Sequence, residues 1–464
     1  MEPAQQVLTV AQMREAEEAL IRAGTSVDAL MQIAGHGAAD WVWRLAAHHP
    51  VTVLCGPGNN GGDGYVIAEA LRARGGKVRV VAAMEPKTNA ARNARALYGG
   101  EVLGPEAELH GDLLVDCLFG SGLVRPLSDD LLSLLTRLAS RHHRLIALDL
   151  PSGIESDSGV ALNAGLPDNA MTVALGAWKQ AHFLMPAAAA MGQLRLVGIG
   201  CGAVPEAPGI VARPVIPMPD AETHKYRRGL LAVVGGAMPG AAELACAAAM
   251  GAGAGYVRLL SDGQAVQPRA AALVVDGRAL ADSLADDRIA AALVGPGLGR
   301  DAEARRRLEA ALSAGHRLVL DADALVLLRR GEQTGIGVAT PHDGELAALE
   351  RAHGLDGIGT KLDRARALAE ATGLVILAKG PDTVIAAPDG RAAFAHRASV
   401  WLSTAGTGDV LAGIVGSRLA TGVEPFDAAC EAVWLHGEAA RLAGRAFSAD
   451  DLAAQVRAAF TACL

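Results

Sequence analysis

The sequence predicts two α/β domains in tandem, each a parallel sheet covered by helices on both faces. Three observations carry this. Short apolar runs of strand length alternate with helical patterns along most of the chain, as in parallel strands buried on both sides. Hydrophobic residues make up 51% of the 464 residues but aromatics only 3%, and 55 are glycine, so the cores must be built from Ala, Val, Leu and Ile, with glycines left for turns and close backbone approach. The alternation also breaks once, over residues 203–220, where Pro205, Pro208, Pro214, Pro217 and Pro219 leave little periodicity, and then restarts. Domains are therefore expected over residues 1–215 and 220–464.

Taken in order, Thr9-Val10-Ala11-Gln12 has capping-box form and opens a helix running to about Gly24. A second helix follows over Ser26–Ala47. Strands are expected at Val51–Cys55, Lys77–Ala83, Leu113–Leu118, Leu145–Leu150, Met171–Leu175 and Leu194–Ile199. The helices between them are Tyr65–Arg74, Asn89–Tyr98 and Leu127–Ser140. After the proline-bearing stretch come strands at Leu230–Val234, Ala292–Gly295, Arg317–Asp321, Gly337–Thr340 and Leu374–Ala378. Helices are expected there over Ala241–Met250, Val410–Leu419 and Phe426–Ala443.

The net charge of −8 and the lack of any Lys/Arg run argue against nucleic-acid binding, where phosphate neutralisation dominates affinity. The N-terminus has no basic and apolar regions of a signal peptide. The apolar stretch Leu244–Val257 falls short of the roughly 20 residues that span a bilayer. Cys55, Cys117, Cys201, Cys246, Cys430 and Cys463 are scattered without C-x-x-C spacing and read as small buried thiols of a reducing cytoplasm. A cytoplasmic homo-oligomer that touches neither membrane nor nucleic acid is expected.

In the first domain, Gly56-Pro57-Gly58-Asn59-Asn60-Gly61 matches the dinucleotide fingerprint G-x-G-x-x-G between a strand and a helix. Asp63 argues against that reading, because a carboxylate at the helix start repels the pyrophosphate it should receive. Asp116 and Asp149 close two further strands and precede Gly120-Ser121-Gly122 and Pro151-Ser152-Gly153. Strand C-termini converge on the ligand crevice of a parallel sheet. Asn60, Asp116 and Ser152 could thus offer hard oxygen ligands to a cation, with Asp149 as acid or base. One formal charge among three such ligands suits a weakly hydrated monovalent ion. The alternative is that these side chains merely cap helices and turns.

NNGGDG at 59–64, DCLFGSGL at 116–123 and LDLPSGI at 148–154 closely resemble the three loops of the NAD(P)H-hydrate epimerases. The resemblance spans residues 10–202 and implies a Rossmann-like, doubly wound domain that interconverts the R and S epimers at C6 of hydrated NADH or NADPH. It implies that Asn59, Asn60, Gly61, Gly62 and Asp63, with Gly120, Ser121, Gly122, Leu123, Val124, Arg125 and Pro126, contact the hydrated nucleotide. It further implies that Asn60, Asp116 and Ser152 hold potassium and that Asp149 contacts substrate and moves the proton. Lys179, in Trp178-Lys179-Gln180, sits where it could share in the proton transfer, but reads first as a solvated lysine.

In the second domain, Ala405-Gly406-Thr407-Gly408-Asp409 runs directly into a helical pattern. Glycines at a helix start expose N–H groups and the helix dipole adds positive potential, which makes an anion hole. Asp409 could accept a proton from a substrate hydroxyl while the hole holds a phosphoryl group in flight. The alternative is an ordinary glycine turn with a favourable first-turn carboxylate. Further polar or glycine clusters close strands at 295–300, 321–323, 340–345 and 379–383. His342 in the third of these reads by itself as a capping or surface histidine.

HKYRRG at 224–229, VVGGAMPGAAELA, GPGLGR, LDADAL, TPHDGE, KGPDTV and STAGTGDVLAG resemble, in order, the ribokinase-like ADP-dependent NAD(P)H-hydrate dehydratases over residues 222–445. That resemblance implies that Lys379, Gly380, Pro381, Asp382, Thr383 and Gly408 bind ADP with Mg²⁺. It implies that Ala241, Gly299, His342 and Asp409 line the hydrated substrate, with Asp409 as base. The two resemblances together imply a repair enzyme that epimerises the hydrates and returns the S form to NAD(P)H, leaving AMP and phosphate. Three rivals remain: a small-molecule kinase with an N-terminal nucleotide-binding regulatory domain, a catalytically dead docking module for the first domain, and an NAD-dependent dehydrogenase.

Overall fold

The computed structural model describes residues 3–332 and 334–464, so residues 1 and 2 of the expected first domain lie outside the described residues. The chain divides into two compact units, Met1–Gly209 and Ile210–Leu464. The seam falls inside the proline-bearing stretch but earlier than residue 215. Val211 and Ile216 are buried in the second unit's core, and their N–H groups donate to Phe394 and Cys463 carbonyls (2.8 and 2.9 Å).

The first unit opens with helices α1 (Val10–Arg22) and α2 (Val27–Ala46), capped by Thr9 and Ser26. Then follow β1 (Val51–Cys55), α3 (Asn59–Ala73), β2 (Val78–Ala82), α4 (Asn89–Leu97), β3 (Val102–Leu103), β4 (Gly111–Cys117), α5 (Asp129–Ala139), β5 (His142–Leu148), β6 (Met171–Leu175) and β7 (Gln193–Val197). Among the described residues they form a seven-stranded parallel sheet in the order β3-β2-β1-β4-β5-β6-β7. Strand period sorts side chains to opposite faces. Val53, Cys55, Leu113 and Val115 pack with α2, α3 and α4, while Leu54 and Leu114 pack with Leu134, Leu135 and Leu138 of α5.

Sequence pattern starts α3 at Tyr65, but the helix starts six residues earlier, so NNGGDG forms its first two turns. Close packing explains it. A Cβ on Gly61 would lie 1.9 Å from the Gly56 carbonyl oxygen, and one on Gly56 would lie 1.9 Å from that of Leu118. Two bare Cα atoms therefore let the helix begin hard against its own strand, and polar residues with poor helix propensity are held there by tertiary contact.

The second unit contains β8 (Leu230–Val234), α6 (Pro239–Gly251), β9 (Tyr256–Leu260), β10 (Val274–Asp276), α7 (Leu280–Leu284), β11 (Ile289–Val294), α8 (Ala302–Ser313), β12 (Arg317–Leu320), α9 (Asp323–Leu327), β13 (Gly337–Ala339), α10 (Asp343–His353), α11 (Lys361–Thr372) and β14 (Val375–Ala378). It continues with β15 (Val384–Ala386), β16 (Ala392–Phe394), α12 (Thr407–Ala420), α13 (Pro425–Ala443) and α14 (Ala449–Thr461). Its sheet runs β16-β15-β14-β13-β12-β11-β8-β9-β10, with Gly209–Ile210 added outside β16. The sheet is parallel except at one edge, where β15 and β16 turn back antiparallel. Pro388-Asp389-Gly390 between them is turn chemistry, which makes a hairpin rather than a crossover. Helices α6, α12, α13 and α14 cover one face of this sheet in a core of Ala, Val, Leu and Ile. Among the described residues no helix is long and apolar enough to cross a membrane.

Candidate active sites

In the first unit the predicted residues gather where β1, β4 and β5 end. Asp116, near the end of β4, is buried and accepts from the Ser152 N–H (3.0 Å), the Ser152 hydroxyl (2.8 Å) and the Leu118 N–H (3.1 Å). Asn60, in the first turn of α3, points its Oδ1 toward Gly120, 3.1 Å from where a Cβ would sit there, and its buried Nδ2 has no hydrogen-bond partner among the described residues. Asp149 follows β5 in a left-handed conformation, φ 63°, which Asp tolerates better than most residues. Its Oδ2 accepts the Ser121 N–H (2.9 Å) and lies 2.8 Å from the same Cβ position on Gly120.

Lys179 overturns the expectation of a solvated side chain. It is 1% exposed, and its Nζ donates to Asp149 Oδ1 and to the Leu175 carbonyl, both at 2.6 Å. The backbone causes this. Trp178–Lys179 forms a short parallel pairing with Val7–Leu8, which carries the lysine inside the unit. Burial pushes Asp149 upward, but Lys179 and the Ser121 N–H outweigh it and hold the carboxyl below its ordinary range. His182 accepts the Lys179 N–H on Nδ1 (2.9 Å), so Nε2 carries the proton and donates to the Asp149 carbonyl (2.8 Å). Burial pushes His182 down to about 4, which keeps it neutral.

Asp63 faces the same region from α3. Burial pushes its carboxyl well above the ordinary range, and Asp149 and Glu17 add to the effect. Glu17 comes from α1, where a charged residue of an amphipathic helix gives no sign of an inward role. Of the 120–126 loop, Leu123 buries its side chain in the apolar cluster beside α5, whereas Gly122, Val124, Arg125 and Pro126 are exposed. Asn59 is exposed on the outer side of the helix start.

In the second unit the site lies at the ends of β8, β11, β12, β13 and β14. Gly406 caps α12 with φ 91°, so the helix begins at Thr407 and Asp409 stands in its first turn. Lys379 closes β14 and donates to Asp321 Oδ1 (2.7 Å), which also accepts the Thr340 hydroxyl (2.6 Å). The same ammonium lies 3.5 Å from the Cβ position of Gly408, so Lys379 reaches the glycine turn at the start of α12 rather than staying with Gly380–Thr383. Burial alone would lower Lys379, but Asp321 holds it above its ordinary value. Asp409 is pushed up to about 7, by burial first and Asp321 next, against the opposing pull of Lys379.

Asp323 accepts from the Gly299 N–H (2.9 Å) and from Arg300 Nε (2.7 Å). Ala241, in the first turn of α6, lies beside Gly297. His342 caps α10, its Nδ1 accepting the Gly344 and Glu345 N–H groups, with most of the ring exposed. Gly380–Thr383 forms the tight turn into β15, with Lys361 Nζ donating to Asp382 (2.7 Å) and to the Lys379 carbonyl (3.0 Å). His436, on α13, was not singled out by sequence. It donates to the Thr407 carbonyl (2.9 Å) and burial lowers it to about 4, so it supports the helix start as a neutral donor.

Comparison with known proteins follows the same division. A family model described as NAD(P)H-hydrate dehydratase matches residues 231–460, and one described as YjeF-related protein N-terminus matches residues 27–181. The chain is 32% identical to a bifunctional NAD(P)H-hydrate repair enzyme of Synechocystis, over 95% of this chain and 91% of that one. The corresponding proteins of Gloeobacter violaceus and Escherichia coli are 34% and 30% identical, over 92% and 91% of this chain and 92% and 84% of their own. Similarity that runs through both units and the seam between them is more than a shared domain, and the chain belongs to the family of bifunctional NAD(P)H-hydrate repair enzymes.

Proposed function

We propose that the first unit interconverts the C6 epimers of hydrated NADH and NADPH, and that the second dehydrates the S form at the expense of ADP. The observation that carries the reading is Asp409. A carboxyl near 7 in the first turn of a helix, beside Lys379 and an anion hole, is a base poised for neutral pH. Hydroxide is a poor leaving group. Asp409 takes the proton of the C6 hydroxyl as that oxygen attacks the terminal phosphorus of ADP. Lys379 and the N–H groups at the start of α12 hold the phosphoryl oxygens in flight. AMP is released, phosphate then leaves C6 as the ring-nitrogen lone pair forms an iminium, and loss of a C5 proton to the departing phosphate or to water forms the C5=C6 bond that restores NAD(P)H.

Among the described residues no three His, Cys, Asp or Glu side chains converge as a metal cage, and Asp321 is already engaged by Lys379 and Thr340. That fits Mg²⁺ arriving on the nucleotide, where it would neutralise phosphate charge. In the first unit Asp116 is a buried carboxyl with no cationic side chain in contact among the described residues; it accepts from the Ser152 hydroxyl, and the amide oxygen of Asn60 borders Gly120. An oxygen-only set with one charge fits potassium, which would draw the three strand-end loops together. Asp149, ionised by Lys179, is the epimerase base. The six free cysteines agree with a reducing compartment.

The test is incubation of the full chain with mixed hydrate epimers and ADP or ATP, following the return of NAD(P)H absorbance. Complete conversion of both epimers is expected. Conversion of one epimer alone removes the epimerase reading, and transfer of phosphate to an unrelated alcohol without NAD(P)H formation favours a kinase.

A further inference from the structure

Asn60 and Asp63 lie three residues apart on α3 and so share a face, with Gly61 and Gly62 between them adding no side chain. Asp63 is 7% exposed, and its carboxyl forms no hydrogen bond among the described residues. The neighbouring buried carboxylates are engaged, Asp116 by Ser152 and Leu118, Asp149 by Lys179, Ser121 and Leu175. Asn60 Oδ1 and Asp149 Oδ2 both border the space above Gly120, so the polar face of α3 and Asp149 meet at one gap. The charged groups that act on Asp63 are Asp149 and Glu17, and Lys179 and Arg14 act in turn on Glu17. A buried carboxyl facing two acids and no cation of its own keeps its proton, whereas Asp149, in contact with Lys179, does not.

We propose that Asp63 is the second catalytic group of the epimerase site, the proton donor that complements Asp149. The proposal rests on reading this site as an epimerase. Asp149 takes the proton of the C6 hydroxyl, the oxygen electrons form the C6 carbonyl, and the C6–N1 bond breaks. The electron pair left on N1 takes the proton of Asp63. Rotation about C5–C6 then turns the other carbonyl face to N1. In the reverse step N1 attacks that face, its proton returns to Asp63, and the new alkoxide recovers its proton from Asp149. No atom is gained or lost, and both carboxyls end as they began.

The test is Asp63→Asn in the full chain, which keeps the shape but has no acidic proton. Epimerisation of the separated R hydrate is followed chromatographically without nucleotide. The expected result is a fall in kcat of ~10²–10⁴-fold with KM changed by less than about threefold. Dehydration of the S epimer by the second unit stays at the parental rate, and an unchanged melting transition of the first unit reports that the site is folded. The parental kcat/KM should fall at alkaline pH as the donor ionises, and Asp63→Glu should recover part of the rate. Near-normal turnover in Asp63→Asn, or a raised KM with unchanged kcat, overturns the proposal and leaves Asp63 as a bystander or a substrate contact. If Asp63→Asn does not fold, an alkaline limb missing from the parent overturns it instead. Loss of epimerisation in Asp149→Asn but not in Asp63→Asn refutes this proposal alone, whereas a parent that never interconverts the epimers refutes the site reading beneath it.

Discussion

Lys179 and Asp149 form an ion pair sealed from solvent, with Nζ and Oδ1 2.6 Å apart and the lysine anchored by the Leu175 carbonyl. Breaking one side of a buried pair leaves the other charged and unmatched, at a cost of ~3–5 kcal/mol. Lys179→Met should therefore lower the stability of the first unit by about that amount in urea melts. It should also move the acid limb of epimerisation to higher pH, since Asp149 loses the group that keeps it ionised. In the parent, Asp149 is held below its unfolded value. Its stabilising contribution is therefore present above that value and lost as pH falls through the folded one.

Asp409 predicts the opposite sign. Its folded value is about 7, well above that of a free carboxyl, so the folded state binds an extra proton in between and stability falls as pH rises toward 7. Asp409→Asn should be more stable than the parent at pH 8, and the difference should vanish in acid. Dehydration should drop ~10²–10⁴-fold in this variant, with ADP still bound and epimerisation untouched. In the parent, dehydration should rise with pH through about 7. Near-normal dehydration by Asp409→Asn would return the residue to a helix-start cap.

Potassium should matter to one activity only. Replacing it with choline at equal ionic strength should slow epimerisation and lower the melting temperature of the first unit. A hundredfold excess of ion over its Kd is worth about 2.7 kcal/mol by mass action. Asp116→Asn should abolish that response. Equal rates and melting curves in both salts would reduce Asp116 and Ser152 to a turn-forming pair.

The seam supplies a fourth prediction. A fragment 210–464 should dehydrate the S epimer unaided, and a fragment 1–209 should epimerise without nucleotide. A fragment 220–464 should be measurably less stable than 210–464, because it lacks the buried Val211 and Ile216. Equal melting of the two longer-unit fragments would show that these residues contribute nothing to that core.

Val51–Cys55, Met171–Leu175 and Leu230–Val234 were legible in the sequence to the residue, because a strand buried on both faces tolerates little else, whereas two others start three residues earlier than expected and Tyr256–Leu260, interrupted by Arg258, was not seen. The turns that follow them were legible through glycines and oxygen-bearing residues. The start of α3 was not, since local propensity says loop and only the contact of Gly56 with Leu118 says helix. Lys179 was read as solvated and Glu17 was missed because a charged residue carries no mark of the direction it faces. Lys179 is carried inward by a two-residue pairing with Val7–Leu8, more than 160 positions away. Asp409 was visible through its glycine turn, but its proton affinity depends on Asp321 and Lys379, which arrive from two other strands.

The contact between Gly56, Gly61 and Leu118 has a consequence for heredity. Every single-base change in a glycine codon that alters the residue adds a side-chain carbon or ends the chain. At Gly56 or Gly61 that carbon would fall 1.9 Å from a carbonyl oxygen of the backbone itself, with no flexible neighbour to yield. No one-step path therefore leads away from either glycine without displacing the backbone it touches.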